Sequence, residues 1–591
     1  MDLAARLLPE FRRTLRGLFR SPGFALSVVA VFALGIGVST TMWSAVHALL
    51  IAPLPLAEPQ RLAALYQVSP EDPRRPVAPA NFLDWRREAR SFSALAAWNL
   101  DLRVVTGLGE PRRLDVAWAS ENLFDLLGAR PAAGRLFHAG EGGSPAVISH
   151  HAWQQLLGGA PVDGKVLRVG GRAVELVGVA PAHLDFPPGV EVWALAPQDI
   201  PPIGLPGDFD LTTLRDARYL GVVGRLAPGA TMASADAELQ AIARRLELAY
   251  PDANAHNGAR VLPLAADLGS ESRLPLLLLL GAALFVLLVG CLNVAGLMLA
   301  RTIRRQRTLA VQAAIGGGTA ALALPVLLES LLLGAVGGVC GVLLAAWAGP
   351  RVLAALPQVV LGGRELHVSA AVVGFAVVAS LFTAVGAALL PVLATTRYAP
   401  AALLSGRRAT SSPRRARARS ALVVAQVALA FVLVAGSSLL LRTLALVAAR
   451  SPGFTVERVE TSRLALPPDP TLPPAARRAL LTRAVEAAAA TPGVRAAGAV
   501  LKLPLTGSGM SSDARVEGRT FADGEAPDVC WRAVTPGYFA TIGLPVLRGR
   551  AFDARDGAGS APAAIVNRTL ASLLWPGRDP LGRRLATGLD G

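Results

Sequence analysis

Five apolar runs dominate the hydrophobic pattern of this chain and predict five membrane-spanning helices. A bilayer core about 30 Å thick is crossed by roughly 20 apolar helical residues, because backbone groups left unpaired in hydrocarbon are costly. The predicted spans are residues 21–57, 273–300, 319–349, 368–396 and 420–446. The first run is much longer than the apolar core of a signal peptide, so it is expected to remain as an anchor. The predicted fold is an α-helical transmembrane bundle.

Two long segments have the mixed pattern of α/β domains, residues 58–272 and 447–591. In the first, residues 219–226 form an apolar run that predicts a strand and ends at a Pro-Gly turn. A helix is expected to follow, capped by Thr231, and residues 260–264 predict a returning strand. The expected apolar face of that helix consists of Leu239, Ile242 and Leu246.

The charge pattern predicts which side of the membrane each segment occupies. Basic loops stay on the cytoplasmic side, and the basic residues here concentrate in residues 1–20, 301–318 and 397–419. These segments hold 16 basic and two acidic residues, a net +14 of the chain's formal +16. We therefore expect a cytoplasmic N-terminal amphipathic helix at residues 1–20, a cytoplasmic loop at 301–318, a cytoplasmic basic linker at 397–419 and two outer domains. Because topology accounts for the charge, nucleic acid is not expected as a partner.

The two outer segments share a repeat. Five residues of the first segment recur in the second at a constant offset of 415. The matching pairs are Phe124 and Phe539, Gly128 and Gly543, Gly134 and Gly549, Arg135 and Arg550, and Phe137 and Phe552. The pattern indicates a duplication in which each half has an anchor helix, an outer domain and a helical bundle. On this interpretation the second half ends inside its outer domain, and we expect a longer chain with eight spans.

No motif predicts catalysis, a cofactor or a metal site. Residues 159–165 match most of a phosphate-binding loop, but Val166 stands where a hydroxyl would reach magnesium, so a structural turn is expected. His150 and His151 are adjacent rather than spaced for a metal on one helix face. The three cysteines lack metal-ligand or redox spacing. We therefore expect a chain that is not an enzyme.

The third span and the loop before it contain three notable features. Residues 301–318 begin with arginines and continue with apolar residues to a glycine run, which predicts an amphipathic helix. It would either lie at the lipid headgroups or dock on a cytosolic partner. Glu329 is expected at the cytoplasmic rim as a boundary charge rather than as a proton relay. Gly337 and Gly341 form a small-residue face that lets helices pack closely.

Several motifs together resemble those of the MacB/FtsX-type ABC transporter permeases. They are Arg20–Phe24 with Ala33–Gly37, Asn81–Arg86, Thr535–Phe539, Cys291–Ala295 and Glu329–Leu333. The resemblance covers nearly the whole chain and is strongest to the duplicated orphan subgroup, which lacks a fused ATPase. It implies that the outer domains are periplasmic core domains in a bacterial inner-membrane protein.

The resemblance also implies a partner and a contact site. The loop 301–318 would be the element that contacts a separate cytosolic ABC ATPase, whose motion the spans pass to the outer domains. The implied coupling residues are Arg301, Arg304, Arg305, Arg307, Val311, Ala314 and Gly316. The loop departs from the family pattern at Thr308 and Gln312, where the family more often has charged residues.

Two functions follow from these expectations. The first is a permease subunit that transmits ATPase motion for export or extraction of a substrate. The second is an FtsX-like membrane regulator of a periplasmic or cell-wall partner, which the departures in the loop favour. Membrane lipid is an expected partner in both cases, and a periplasmic partner or a dimer is compatible with either. A membrane-anchored enzyme is a third class, without a catalytic motif to support it.

Overall fold

The structure is a computed structural model that describes most of the chain. The described residues exclude 1–2, 71, 108–110, 170–171, 203–209, 216, 306–318, 355–368, 397–412, 463, 465–472, 506–509, 520, 522–525, 558–559 and 588–591. The chain divides into two compact units. The helical unit contains Met1–Pro53 and Leu268–Arg450, and the α/β unit contains Leu54–Asp267 and Ser451–Gly591.

The chain begins with two helices separated by a short break. Helix α1 (Leu3–Phe19) is followed by α2 (Pro22–Val46), with Ser21 before it and Pro22 in its first turn. Proline favours the start of a helix because its missing N–H has no intrahelical acceptor there. The α2 helix continues into a π-helical turn, His47–Ile51.

Within its described residues, the first α/β segment has ten strands and several helices. In chain order its elements are β1 (Leu62–Val68), α3 (Pro79–Glu88), β2 (Phe92–Thr106), β3 (Arg112–Ala119), α4 (Leu123–Leu127), β4 (Ala133–Gly134), β5 (Pro145–Ile148), α5 (His150–Leu157), β6 (Lys165–Val169), β7 (Arg172–Val179), β8 (Val192–Leu195), β9 (Gly221–Leu226), α6 (Met232–Ala249), α7 (Pro251–Asn254), β10 (Gly258–Pro263) and α8 (Leu264–Leu268). The strands form one sheet in the order β10-β1-β9-β2-β3-β8-β5-β7-β4, and β6 pairs with β2 and β7.

The sheet carries two hydrophobic cores. One lies between β1, β9 and β10 and the helices α3 and α6, with Phe82 and Trp85 fully enclosed. The other lies under β3 and β5 to β8, with α5 packed against it. Most strand pairs are antiparallel, and the β3–β8 and β5–β7 pairs are parallel. Two separate cores on one continuous sheet give this segment two lobes.

The predicted strand–helix–strand unit is present in the first lobe. Strand β9 is followed by α6, which begins after Thr231, whose hydroxyl accepts the Ser234 N–H. Leu239, Ile242 and Leu246 are buried in the core, which confirms the predicted apolar face. The returning strand ends at Pro263, and Leu264 begins a helix instead of extending the strand.

Four long helices complete the described part of the helical unit. They are α9 (Ser270–Arg304), α10 (Thr319–Ala354), α11 (Ala370–Thr396) and α12 (Pro413–Ala449). Within the described residues, α2 and these four helices are the five that are long and apolar enough to cross a membrane. This agrees with the five predicted spans.

Side chains along α2 hold the bundle together. Trp43 stacks on Phe375 of α11 with ring centroids 4.9 Å apart. The Ser39 hydroxyl donates to the Ala283 carbonyl of α9 at 3.2 Å. In an apolar surrounding such bonds satisfy groups that would otherwise lack a partner. Helix α2 therefore joins α9 and α11 by both aromatic and polar contacts.

The second α/β segment is smaller. Its elements are α13 (Pro474–Ala489), β11 (Met510–Val516), β12 (Asp528–Trp531), α14 (Tyr538–Thr541), α15 (Arg568–Leu574) and β13 (Leu585–Thr587), and its sheet has the order β12-β11-β13. Gly128 and Gly543, a matching pair in the sequence repeat, have φ of 66° and 64°, a left-handed backbone that favours glycine. The matching arginines also make matching ion pairs, Arg135 with Glu141 and Arg550 with Asp556. The repeat is thus visible in local structure as well as in sequence.

Candidate coupling site at the end of the helical bundle

The predicted coupling residues fall into two groups. Arg301 and Arg304 lie in the last turn of α9, and Arg305 follows its end. Arg307, Val311, Ala314 and Gly316 lie outside the described residues. The described site therefore consists of the two helix ends that border residues 306–318 and of what these ends contact.

A buried carboxylate on α10, ten residues after the first residue of that helix, faces the end of α9. The Glu329 side chain on α10 is 7% exposed, and its Oε1 is 3.0 Å from Nη2 of Arg301, which is 14% exposed. Its Oε2 is 3.5 Å from Nη1 of Arg305, which is 49% exposed. A buried charge requires a partner, because desolvation otherwise costs several kcal/mol. The pair between Glu329 and Arg301 therefore links the end of α9 to α10.

Arg301 also contacts the junction between α1 and α2. Its Nη1 donates to the Ser21 hydroxyl at 2.7 Å, and its Nη2 donates to the Gly17 carbonyl at 3.2 Å. Its guanidinium carbon lies 4.3 Å from the ring centroid of Phe24. A planar guanidinium can donate in several directions and stack on an aromatic ring at the same time. We call Gly17, Ser21, Phe24, Arg301, Arg305 and Glu329 the Arg301 cluster.

The cluster joins three parts of the chain that are distant in sequence. Ser21 also donates to the Gly17 carbonyl at 3.1 Å, so the break between α1 and α2 is held from both sides. The end of α9 therefore contacts α10 through Glu329 and the α1–α2 junction through Gly17 and Ser21.

The two glycines predicted to mediate helix packing lie on α10 where it faces α2. A Cβ on Gly341 would lie 3.1 Å from the backbone nitrogen of Gly37, and one on Gly337 would lie 2.6 Å from the Cβ of Phe32. A real side chain at either position would force the helices apart. The close contact between α2 and α10 therefore depends on these small residues.

Sequence reasoning missed part of the site. Glu329 was expected at the cytoplasmic rim as a boundary charge, without a named partner, and the structure places it in ion pairs with Arg301 and Arg305. The sequence does show one acidic residue, Glu329, near the start of the third apolar run, and arginines directly after the second apolar run. Gly17 gave no signal, and Ser21 lies in the Arg20–Phe24 motif, but the contacts of both depend on where the α1–α2 junction lies.

A second polar network lies in the first α/β segment. The Arg215 guanidinium is 2.8 Å from the Asp84 carboxylate, donates to the side-chain Oδ1 of Asn81 at 2.6 Å and lies 3.7 Å from the Tyr250 ring centroid. Asn81 in turn donates to Asn254 at 2.8 Å. These groups satisfy one another inside the domain, so the Asn81–Arg86 motif has a structural role that fixes α3 to the loop before β9.

The other candidate motifs lie at ordinary structural positions. Residues 159–165 connect α5 to β6, and Gly159 and Gly164 have φ of 81° and 74°. His150 and His151 begin α5, where the Ser149 hydroxyl accepts the Ala152 N–H. Among the described residues, no group of three or more His, Cys, Asp or Glu side chains could hold a metal ion.

Comparison with protein families identifies two domains. Residues 24–242 match the MacB-like periplasmic core domain, and residues 280–400 match the FtsX-like permease C-terminal domain. These are permease-type families, which are not enzymes themselves. The match confirms the resemblance to MacB/FtsX-type permeases at the level of these domains. Phe24 begins the first match, and Arg301 and Glu329 lie inside the second.

Several solved structures are similar to part of the chain, whereas no curated protein matches it. A domain assigned to a permease protein from Porphyromonas gingivalis is 17% identical, covers 35% of this chain and 92% of that chain, and has a TM-score of 0.29. The periplasmic region of MacB from Actinobacillus actinomycetemcomitans is 9% identical, covers 34% and 88%, and has a TM-score of 0.26. The extracellular domain of the ABC-type transporter YknZ from Gram-positive bacteria is 14% identical, covers 34% and 99%, and has a TM-score of 0.24.

Proposed function

We propose that this chain, which combines a MacB-like periplasmic core domain with an FtsX-like permease domain, is the permease subunit of an ABC-type transporter. A separate cytosolic ABC ATPase supplies ATP hydrolysis, and its motion reaches the outer domains through the spans to export or extract a substrate. The segment 301–318 is the ATPase contact. The protein lies in the bacterial inner membrane with a cytoplasmic N-terminus, which the basic residues of 1–20, 301–318 and 397–419 support.

The Arg301 cluster is the observation that carries this proposal. It joins the end of α9, where the coupling segment begins, to α10 and to the start of α2 through the partly buried guanidinium of Arg301. A push on residues 306–318 then reaches α2, which leads out of the membrane into the first α/β segment. If the only role of residues 301–318 were to set the orientation of the chain in the membrane, exposed arginines would suffice. The ion pair between Arg301 and the buried Glu329 would then not be needed.

We also propose that the two α/β segments derive from one duplicated unit, as in the two-copy orphan permeases. The paired glycines and the paired Arg135 and Arg550 ion pairs support this proposal. In this arrangement residues 58–272 and 447–591 are the first and second periplasmic core domains.

Affinity purification tests the ATPase partnership. The full-length chain is expressed in its host with an affinity tag, and co-purifying ABC ATPases are identified by mass spectrometry. We expect one ATPase to be retained by the wild type and lost when residues 306–318 are replaced by a Gly-Ser linker of equal length. A matched linker in place of residues 400–412, in the other basic loop, serves as the control and should retain the ATPase. Absence of any ATPase from the wild-type preparation would count against the proposal.

The departures at Thr308 and Gln312 favour a second function, regulation of a periplasmic or cell-wall partner. In that case an outer-side protein would co-purify with the chain, and its activity would persist in the 306–318 linker variant. Loss of that activity in the linker variant would favour the transporter instead.

A further inference from the structure

Helix α1 has two faces that are both incompletely covered. Its exposed apolar residues lie one turn apart, at Phe11, Leu15 and Phe19. Leu18, which is adjacent on the helix, is buried in the bundle core with Val28 and Phe32. Residues spaced by four positions lie on the same side of a helix. One edge of α1 is therefore fixed to the bundle, while an aromatic stripe next to it is uncovered.

The neighbouring face of α1 is basic. A cavity of about 340 Å³ is lined, among the described residues, by Pro9, Arg12, Arg13 and Arg16. Arg13 pairs with Glu10 at 3.0 Å on the exposed surface, where such pairs are weak. Among the described residues, neither Arg12 nor Arg16 has an ion-pair partner. The helix therefore presents three guanidinium groups to one space with a single acid beside them.

The position of α1 brings these faces to the membrane surface. The helix ends at Phe19, and the apolar span begins three residues later at Pro22. Helices with this combination of aromatic and basic faces lie in the plane of the interface, with the apolar side among the acyl chains. The aromatic stripe and the arginines then meet the same lipid leaflet at adjacent depths.

We propose that α1 binds an anionic phospholipid of the leaflet that it faces, with the headgroup phosphate held by Arg12, Arg13 and Arg16. Guanidinium groups bind phosphate oxygens with paired hydrogen bonds, so the chemistry of the cavity matches that group. A phospholipid also supplies acyl chains for Phe11, Leu15 and Phe19. An acidic protein surface would neutralise the arginines but leave the aromatic stripe uncovered, so lipid is the occupant that satisfies both faces.

Binding at α1 reaches the Arg301 cluster directly. The Gly17 carbonyl, one turn after Arg13, accepts the hydrogen bond from Arg301. Lipid bound by α1 would therefore stabilise the arrangement of α9 and α10 around Glu329. The lipid site itself goes beyond the proposed ATPase partnership, because it requires only α1 and a bilayer.

Hydrogen–deuterium exchange of the full-length chain in nanodiscs tests the site. Exchange of the backbone amides of residues 11–19 is compared in phosphatidylcholine and in an equal mixture of phosphatidylcholine and phosphatidylglycerol. Each basic residue near an anionic surface strengthens binding roughly fivefold, so three should slow exchange by up to about a hundredfold. High salt should reverse much of the effect, because ions screen charges at the surface.

Two matched variants distinguish binding at Arg12, Arg13 and Arg16 from the effect of the chain's overall positive charge. The site variant is Arg12→Gln, Arg13→Gln and Arg16→Gln. The control variant, which loses the same charge from another basic segment, is Arg414→Gln, Arg415→Gln and Arg417→Gln. We expect the site variant to lose the dependence on phosphatidylglycerol and the control to keep it, with unchanged exchange of α2 showing that both are folded. Equal behaviour of the two variants would overturn the proposal.

Two further arms identify the occupant. Glycerol 3-phosphate added to phosphatidylcholine nanodiscs should leave exchange unchanged. If it slows exchange as much as phosphatidylglycerol does, the site takes free phosphate and the lipid proposal is wrong. If exchange slows only when an ATPase is added, the occupant is a protein, and the proposal is likewise overturned.

Discussion

Glu329→Gln is the most informative single substitution in the Arg301 cluster. The change removes the charge but keeps the size of a side chain that is 7% exposed, and it leaves Arg301 buried without its carboxylate. Removal of one partner of a buried pair costs about 3–5 kcal/mol. Because Arg301 keeps its hydrogen bonds to Ser21 and Gly17, we expect a loss at the lower end of this range, about 3 kcal/mol in the free energy of unfolding.

Reversible unfolding of the full-length chain by SDS in mixed micelles, followed by tryptophan fluorescence, would measure this cost. Arg305→Gln is the matched control, because Arg305 is 49% exposed and 3.5 Å from the same carboxylate. Pairs of exposed ions contribute about 1 kcal/mol or less, so the control should be mild. A loss for Glu329→Gln no larger than that for Arg305→Gln would refute the assignment of a buried pair.

A double-mutant cycle isolates the pair itself. Arg301→Gln alone leaves the Glu329 carboxylate buried without its main partner, whereas the double variant Arg301→Gln and Glu329→Gln places two neutral amides together. The double variant should therefore lose less stability than the sum of the single variants, by more than about 1 kcal/mol. Additive losses would mean that the two residues do not interact.

Three further predictions concern other parts of the chain. Gly341→Val should disrupt the close contact between α2 and α10 and lower the unfolding transition, whereas Gly374→Val, with open space around it, should have little effect. Asp84→Asn removes the charge that pairs with Arg215 inside the first α/β segment and should lower the free energy of unfolding by about 3 kcal/mol. Thermal unfolding of the α/β unit in the full-length chain would measure this loss. The hydrogen bond from Arg550 lowers the pKa of Asp556 from 3.8 to about 2, so its contribution is present above pH 4 and is lost as the pH falls towards 2. The stability difference between wild type and Asp556→Asn should therefore shrink from pH 7 to pH 3, and an unchanged difference would contradict the assignment.

The helical unit was largely predictable from the sequence because apolar runs of sufficient length have few alternatives. The helix ends were less predictable. Helix α9 continues to Arg304, beyond the predicted end of its span at residue 300. Long basic side chains can extend towards water while their backbone stays helical, so hydropathy alone underestimates the helix. The α-helical part of α2 ends at Val46, before the predicted end of the span at residue 57. A π-helical turn, His47–Ile51, follows it.

The candidate site was predictable only in part. The arginines at 301, 304 and 305 stand out by charge, and family resemblance pointed to the same segment. The partnership between Arg301 and Glu329 joins residues 28 positions apart, and it depends on the arrangement of the bundle, in which α9 and α10 both pack against α2. The Gly17 carbonyl takes part through its backbone, so the residue type carries no information about it. The Asn81 network could not be predicted for the same reason, because it joins residues that are distant in sequence and come together only in the folded domain.

The most direct test of the proposed function is the rate of ATP hydrolysis by the co-purified ABC ATPase, measured with and without this chain in the same nanodiscs. We predict that the wild-type chain changes the rate and that Glu329→Gln reduces this change by at least about tenfold while the ATPase remains bound, because loss of the ion pair with Arg301 separates α10 from the end of α9 and the start of α2. An equal rate with and without the chain, or full coupling in the Glu329→Gln variant, would contradict the account.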